Sequence, residues 1–277
     1  MILHVLMDNR SCSSEFASEH GLALFIETGQ ENILFDTGAS DAFIKNAHLM
    51  GVDLGSADLS VLSHGHYDHG GGLEAFFRVN DTAPVYVQTT AFDGYYKQGK
   101  EWKYIGLPET VKKNPRFLLK KGSYRLGRGL EVLSGIRPRR LNPQDNRLMY
   151  RQEATGMQPD DFSHEQNLIL TEEGKHLLIT GCAHQGIVNI LEEYFVLKGA
   201  YPDVVLGGFH LLDDDGDKTL EGFVKEIGEF LKSTGSLFYT GHCTGEKAFG
   251  ILKDILGDRI GSISSGTVLK LFGDSEE

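Results

Sequence analysis

"SHGHYDHGGGL", residues 63–73, places three histidines and an aspartate within six positions and follows them with three glycines. A run of β-type residues, "LSVLS" (59–63), delivers the chain to His64. In an extended segment positions i and i+2 point the same way, so His64 and His66 can address one point. A turn after them can aim Asp68 and His69 at a neighbouring point, and the glycines allow a sharp backbone bend. One hexapeptide can thus serve two adjacent metal ions, His64 and His66 on one, Asp68 and His69 on the other. Imidazole with carboxylate suits zinc, manganese or iron, and the spacing does not choose among them. A solvated histidine-rich loop is the competing reading; the strand before the cluster and the glycine run after it argue against that.

Working outward, short β-type runs recur at 2–7, 22–27, 32–38, 59–64 and 84–88, then at 167–181, 203–210, 237–242 and 259–272. Within 167–181, "NLILTEEGKHLLIT" reads as a hairpin turning at Glu173-Gly174. Helical patterns alternate with these runs at 40–51, 186–199, 219–235 and 246–257, with Ser40 as an N-cap and a glycine closing each. Residues 90–160 are rich in Tyr, Lys and Arg with weak periodicity, and read as an insertion or long loops over the site rather than a second domain. The alternation implies a single α/β domain over 1–277, two sheet layers covered by helices.

Composition narrows the function. The 277 residues are 40% apolar and 24% charged, enough for a sizeable core. A net charge of -12, from 27 basic and 39 acidic residues, argues against a nucleic-acid binder with a broad basic surface. Cys12, Cys182 and Cys243 are too few and scattered for a disulfide framework. The opening "MILHVLMDNRSC" lacks the basic start of a signal peptide, and no apolar stretch reaches the roughly 20 residues of a membrane span. A cytoplasmic protein without a membrane partner is the expectation. There is no G-x-S-x-G, Walker A or dinucleotide fingerprint, which leaves the metal cluster as the chemistry.

The pattern H-x-H-x-D-H, His64 to His69, resembles the signature of the metallo-β-lactamase superfamily, and the resemblance extends over nearly the whole chain. It implies an αββα sandwich with a binuclear metal site at the sheet edges. "ILFDTG" (33–38) resembles the strand before the motif, which makes Asp36 an orienter of metal ligands. "TGCAHQGIVNI" (180–190), "GGFHL" (207–211) and "YTGHCTGEKAFG" (239–250) resemble a subgroup labelled 7,8-dihydropterin-6-methyl-4-(β-D-ribofuranosyl)-aminobenzene-5′-phosphate synthase-like. The resemblance implies His242 as the last histidine ligand. The superfamily's strand matching "LLITG" ends in a bridging aspartate; here Cys182 stands in that place. It is either a thiolate replacing the bridge or a buried cysteine. The third histidine on the first metal is His184, with His164 in "DFSHEQNL" as its competitor. His210, at a strand end, is expected beside the substrate as a proton or hydrogen-bond donor, and Asp68 as both ligand and proton acceptor; these two are the candidate catalytic residues. His4, His20, His48 and His176 show no convergent pattern.

The expected function is a metal-dependent hydrolase using two zinc ions, with manganese or iron as alternatives. A metal-bound hydroxide would act on a small anionic ester or phosphoester, pterin- or nucleotide-like. Phe92, Tyr95, Tyr96, Trp102 and Tyr104 are candidates to stack on a heterocycle. Lys97, Lys100 and Lys103, with Arg137, Arg139 and Arg140, are candidates to meet an anion. The alternative is a pterin- or folate-like ligand-binding protein with little turnover, motivated by Cys182 in place of the bridge.

Overall fold

The computed structural model describes residues 1–127, 129–212 and 219–272. Its layering follows from strands whose two faces are both apolar. Leu168, Leu170, Leu177, Ile179, Val204 and Leu206 point into a core shared with Leu3, Val5, Ile26 and Ile33 of another sheet. The residues between them, Ile169, Leu178 and Val205, point the opposite way, into a second core built with helices. This period-two division is what a strand buried on both sides requires.

One seven-stranded sheet runs, in spatial order, Val268–Lys270, Ile2–Met7, Ala23–Glu27, Asn32–Phe35, Leu59–Val61, Val85–Gln88 and Phe117–Lys120. The other runs Ile260–Ser262, Leu237–Thr240, Val204–Gly207, Lys175–Ile179, Gln166–Glu172, Leu130–Ser134 and Tyr124–Gly127. Helices Ala42–Leu49 and Leu73–Val79 cover the outer face of the first, through Phe43, Ala47, Leu73 and Phe76. Helices Ile187–Lys198, Thr219–Thr234 and Glu246–Leu256 cover the second, through Ile187, Leu191, Val224, Leu231 and Leu252. The result is an αββα sandwich. Each fully buried Leu, Ile, Val or Phe in these layers contributes about 1.5–3 kcal/mol relative to exposure.

Glu173 (φ 52°) and Gly174 (φ 77°) turn the hairpin with both central residues left-handed, the arrangement a two-residue turn favours. Two sequence expectations change. The run 259–272 is not one strand: Ile260–Ser262 pairs with Leu237–Thr240, whereas Val268–Lys270 pairs with Ile2–Met7 of the other sheet. Gly266, at φ 91°, lies between the two halves. Residues 90–160 hold strands rather than loops. Phe117–Lys120, Tyr124–Gly127 and Leu130–Ser134 join the main sheets, and Gly94–Gln98, Trp102–Tyr104, Met149–Glu153 and Gly156–Pro159 form a four-stranded antiparallel sheet of their own. Their shortness and their polar outward residues explain the weak periodicity.

No helix among the described residues is long and apolar enough to cross a membrane.

Candidate metal centre

Strands Asn32–Phe35, Leu59–Val61, Lys175–Ile179, Val204–Gly207 and Leu237–Thr240 lead directly to Asp36, His64, Cys182, His210 and His242. Four of the corners are left-handed at non-glycine residues: Asp36 (φ 59°), Ala183 (60°), His210 (49°) and His242 (48°). After His66 a single helical turn, Tyr67–Gly70, presents Asp68 and His69. The glycines around it do not serve a left-handed bend. Gly71 and Gly72 have φ of −64° and −81°. A Cβ on Gly65 would lie 2.2 Å from Ala91 O, one on Gly71 2.2 Å from Ala39 O, and one on Gly72 2.3 Å from Thr37 O. They are there so that backbones can touch.

His64, His66 and His184 converge, with ligand nitrogens within 4.8 Å of one another. All three Nε2 atoms are buried and lack a hydrogen-bond partner among the described residues. Burial, then neighbouring imidazoles, hold His64 and His184 well below the usual histidine range, and burial with His164 takes His66 down to about 3. The rings are therefore neutral at pH 7 and offer lone pairs. A buried polar atom left unpaired costs about 1–3 kcal/mol, and three of them facing one point are a group that could hold an ion.

Asp68, His69, Cys182 and His242 form a second group. His69 Nε2 lies 3.1 Å from His242 Nε2, and Cys182 Sγ lies 3.1 and 3.3 Å from those two atoms. Asp68 Oδ2 is 3.6 Å from the first nitrogen and 3.4 Å from the second. Tetrahedral zinc with Zn–N bonds of 2.0–2.1 Å places its nitrogens about 3.3 Å apart. Burial alone would raise Asp68, but His69, His20 and His242 hold it well below the carboxylate range. Burial lowers His242, yet Cys243 and Asp68 outweigh it and carry the ring up to about 9. Burial pushes the Cys182 thiol up. Cys182 also falls within 4.8 Å of donor atoms on His184 and His210, between the two groups.

Hydrogen bonds aim the donors. Asp36 Oδ2 accepts from His69 Nδ1 (2.7 Å) and from Ser63 Oγ (2.6 Å), and Ser63 Oγ in turn accepts from His64 Nδ1 (2.8 Å). Both Nε2 atoms are thereby left as lone pairs. Glu165, fully buried, accepts from His184 N (2.6 Å) and Gln185 N (2.9 Å) and curls the loop that carries His184; burial pushes it up to about 7. His164 has both ring nitrogens engaged, and with His66 and Asp160 it forms a further group of donor atoms within 4.8 Å of one another. Its Nδ1 accepts from Gly65 N (2.8 Å), its Nε2 faces Asp160 Oδ2 at 3.1 Å, and its ring stacks on Tyr95 at 4.1 Å. It braces the His64–His66 segment, and of the two candidates for the third histidine only His184 has an open Nε2. His210, half-buried, sits against Cys243 and lies 4.2 Å from the His184 ring, and among the described residues neither of its ring nitrogens has a hydrogen-bond partner of good geometry.

His20 lacked a sequence signal but belongs here, with Nε2 3.3 Å from Asp68 Oδ2. Asp8, Asn9, Asn146, Asp160 and Glu165 also went unseen; they lie in loops or, for Asn146, the short turn Gln144–Leu148, and no spacing marks them. His4 bonds Glu27, and His176 sits near Thr171, both away from the centre.

A cavity of about 320 Å³ opens onto the donors and is lined by Asp68, Cys182, His184 and His210 on one side and by Lys97, Lys103 and Met149 on the other. The last three are register partners across the small sheet and share its inner face. Tyr96, Trp102 and Tyr104 alternate with them and face outward, Trp102 against Tyr150 and Tyr96 against Tyr104. Phe92 packs on Phe117 in the core, and Tyr95 is buried against His164. The expected aromatic stacking face is thus turned away from the cavity. Arg139 and Arg140 pair with Glu193 and Glu192 on the helix Ile187–Lys198, away from it as well.

A family model described as the metallo-beta-lactamase superfamily matches residues 19–222. The chain is 28% identical to the 7,8-dihydropterin-6-methyl-4-(beta-D-ribofuranosyl)-aminobenzene-5′-phosphate synthase of Methanocaldococcus jannaschii, over 95% of this chain and 94% of that one. It is 30% identical to an uncharacterized protein of the same organism, over 92% and 94%. A crystal structure of a metal-dependent hydrolase of the β-lactamase superfamily superimposes with a TM-score of 0.82 at 30% identity, covering 98% of this chain and 99% of that one. Sequence match and four-layer fold agree, and the chain belongs to the metallo-β-lactamase superfamily.

Proposed function

We propose that the protein is a metal-dependent hydrolase of small anionic esters, phosphoesters above all, working with two zinc ions. One observation carries the reading. His69 Nε2 and His242 Nε2 face each other at 3.1 Å while their Nδ1 atoms are engaged by Asp36 and Asn9. Two lone pairs at that distance, beside Asp68 and Cys182, require a cation between them. A divalent ion held by Asp68, His69, Cys182 and His242 would fill that need. Nitrogen and thiolate donors favour zinc over manganese or iron. Bound at the two groups, divalent ions would supply Lewis acidity and lower the pKa of a water molecule.

The chain's own residues supply the rest. Cys182 sits where one thiolate reaches both groups, which supports its reading as the bridge. Asp68 stays ionised and accepts from His20, so it can orient and receive a proton. His210, with neither ring nitrogen in a hydrogen bond of good geometry among the described residues, reaches into the cavity as the donor for a leaving oxygen. Lys103 on the roof would draw the anionic end of the substrate towards it, while Lys97 beside it pairs with Asp145 at 2.7 Å. The phosphate and pterin in the name of the M. jannaschii relative support a phosphorylated heterocyclic substrate, and its designation as a synthase makes group transfer the second reading.

The test is elemental analysis of wild type and Asp68→Ala, with hydrolysis of bis-p-nitrophenyl phosphate assayed on both. About two ions per wild-type chain, and turnover lost in the variant, is the expected result. One ion or none after reconstitution, with no ester hydrolysed, would refute it and favour a pterin-binding protein.

A further inference from the structure

We infer that Asn9 and Asn146 are positioning residues, each fixing the tautomer of one metal-facing histidine by gripping both its Nδ1 and its own peptide carbonyl; the inference rests on the two-ion reading. His242 Nδ1 lies 2.8 Å from Asn9 Oδ1, and Asn9 Nδ2 lies 3.3 Å from His242 O. His184 Nδ1 lies 3.1 Å from Asn146 Oδ1, and Asn146 Nδ2 lies 2.6 Å from His184 O. A peptide oxygen can only accept, so it takes the NH₂ end of each amide. The amide oxygen must then face Nδ1, and Nδ1 must carry the hydrogen. A backbone donor repeats the assignment at Asn9, because Gly21 N gives its hydrogen to Asn9 Oδ1 at 3.2 Å. Nε2 is left as a lone pair in both rings, the form an ion needs. His69 receives the same service from a carboxylate, Asp36, whereas these two rings receive it from neutral amides, which add no negative charge to the centre.

Asn9 acts on a second ring. Its Nδ2 also lies 3.2 Å from His20 Nδ1, which makes that nitrogen the acceptor and leaves His20 Nε2–H to donate to Asp68 Oδ2 at 3.3 Å. One amide therefore sets two imidazoles in opposite senses: His242 presents a lone pair, and His20 presents a hydrogen to the carboxylate ligand.

Zinc alone is the probe, titrated against a chromophoric chelator. Asn9→Leu, which keeps the bulk and removes both contacts, should weaken one of the two ions 10–100-fold, and Asn146→Leu the other. Asn9→Asp keeps an acceptor for His242 Nδ1–H but cannot donate to His20. It should bind zinc within a few-fold of wild type, while long-range ¹H–¹⁵N correlation on the zinc-loaded protein shows His20 changed from the Nε2–H to the Nδ1–H form. A merely structural asparagine would leave the His20 pattern alone. Should Asn9→Leu fail to fold, the Asn9→Asp comparison decides. Two ions bound with wild-type affinity in both leucine variants, or an unchanged His20 pattern in Asn9→Asp, overturns the inference. Wild type that takes up no zinc overturns the two-ion reading and the amide roles with it.

Discussion

A methyl group on Gly65 should weaken the metal centre without altering a single ligand. An ideal Cβ there would lie 2.2 Å from Ala91 O, 2.9 Å from its carbonyl carbon and 3.0 Å from its Cα, where ordinary contact begins at 3.4 Å. All three obstacles are backbone, so no rotamer change clears them, and the two segments must part by about 1 Å. Gly65 lies between His64 and His66 and its N–H is held by His164, so the displacement passes directly to two ligands. A misplacement of about 1 Å in a reacting constellation costs on the order of 100-fold, and forced overpacking itself costs about 1–3 kcal/mol. Gly70→Ala is the matched control. Its Cβ would meet Leu107 Cδ2 at 2.3 Å, the far end of a side chain that can swing away. Zinc affinity by chelator competition and thermal unfolding of the loaded protein read both variants. The expectation is about 100-fold weaker zinc binding in Gly65→Ala and a few-fold change at most in Gly70→Ala. Wild-type affinity in Gly65→Ala, or equal damage in the two, refutes the close-approach argument.

Two further outcomes are expected. Burial pushes Glu165 up to about 7, against about 4.3 in an unfolded chain, so the folded form holds its proton more tightly. Its contribution to stability is full below the unfolded value and is lost as pH rises through the folded one. In urea unfolding of the chelated protein, wild type should lose about 2–3 kcal/mol relative to Glu165→Gln between pH 5 and 8, and a pH-independent difference would count against the shift. At the cavity, Lys103→Ala should raise KM several-fold for an anionic ester with little change in kcat, whereas Trp102→Ala should alter neither. The reverse order would mean that substrate meets the outer face of the small sheet.

The cluster of candidate donors was legible because its spacing is local: His64, His66, Asp68 and His69 sit in one hexapeptide after one strand. Asp36 and His242 became legible through the family pattern around them. The residues that aim those ligands were not, since Asn9 meets His242 across 233 positions and Glu165 meets His184 across 19, with no period to announce either. The glycines were seen but given the wrong cause, because a sequence shows a missing side chain without showing what backbone approaches it. The aromatics of 92–104 were read as a group, although alternation along Gly94–Gln98 puts Tyr95 and Lys97 on one face and Tyr96 on the other. Recognising that short hairpin would have separated them. The division of 259–272 between two sheets is invisible to an apolar pattern, which states that a face is buried but not against which layer.

The left-handed corners at Asp36, Ala183, His210 and His242 gather at one centre four of the eight left-handed non-glycine residues among those described. Non-glycine residues held there cost about 1–3 kcal/mol each, and the surrounding sandwich supplies the stability that keeps them in place. Thermal robustness and the placing of the candidate donor atoms therefore pull in opposite directions at these positions. A glycine at 210 would ease the backbone and yield a hardier chain, at the cost of the imidazole that lies against His184 in the cavity. A search for more stable variants of this protein would be drawn to the corners that carry the candidate metal centre.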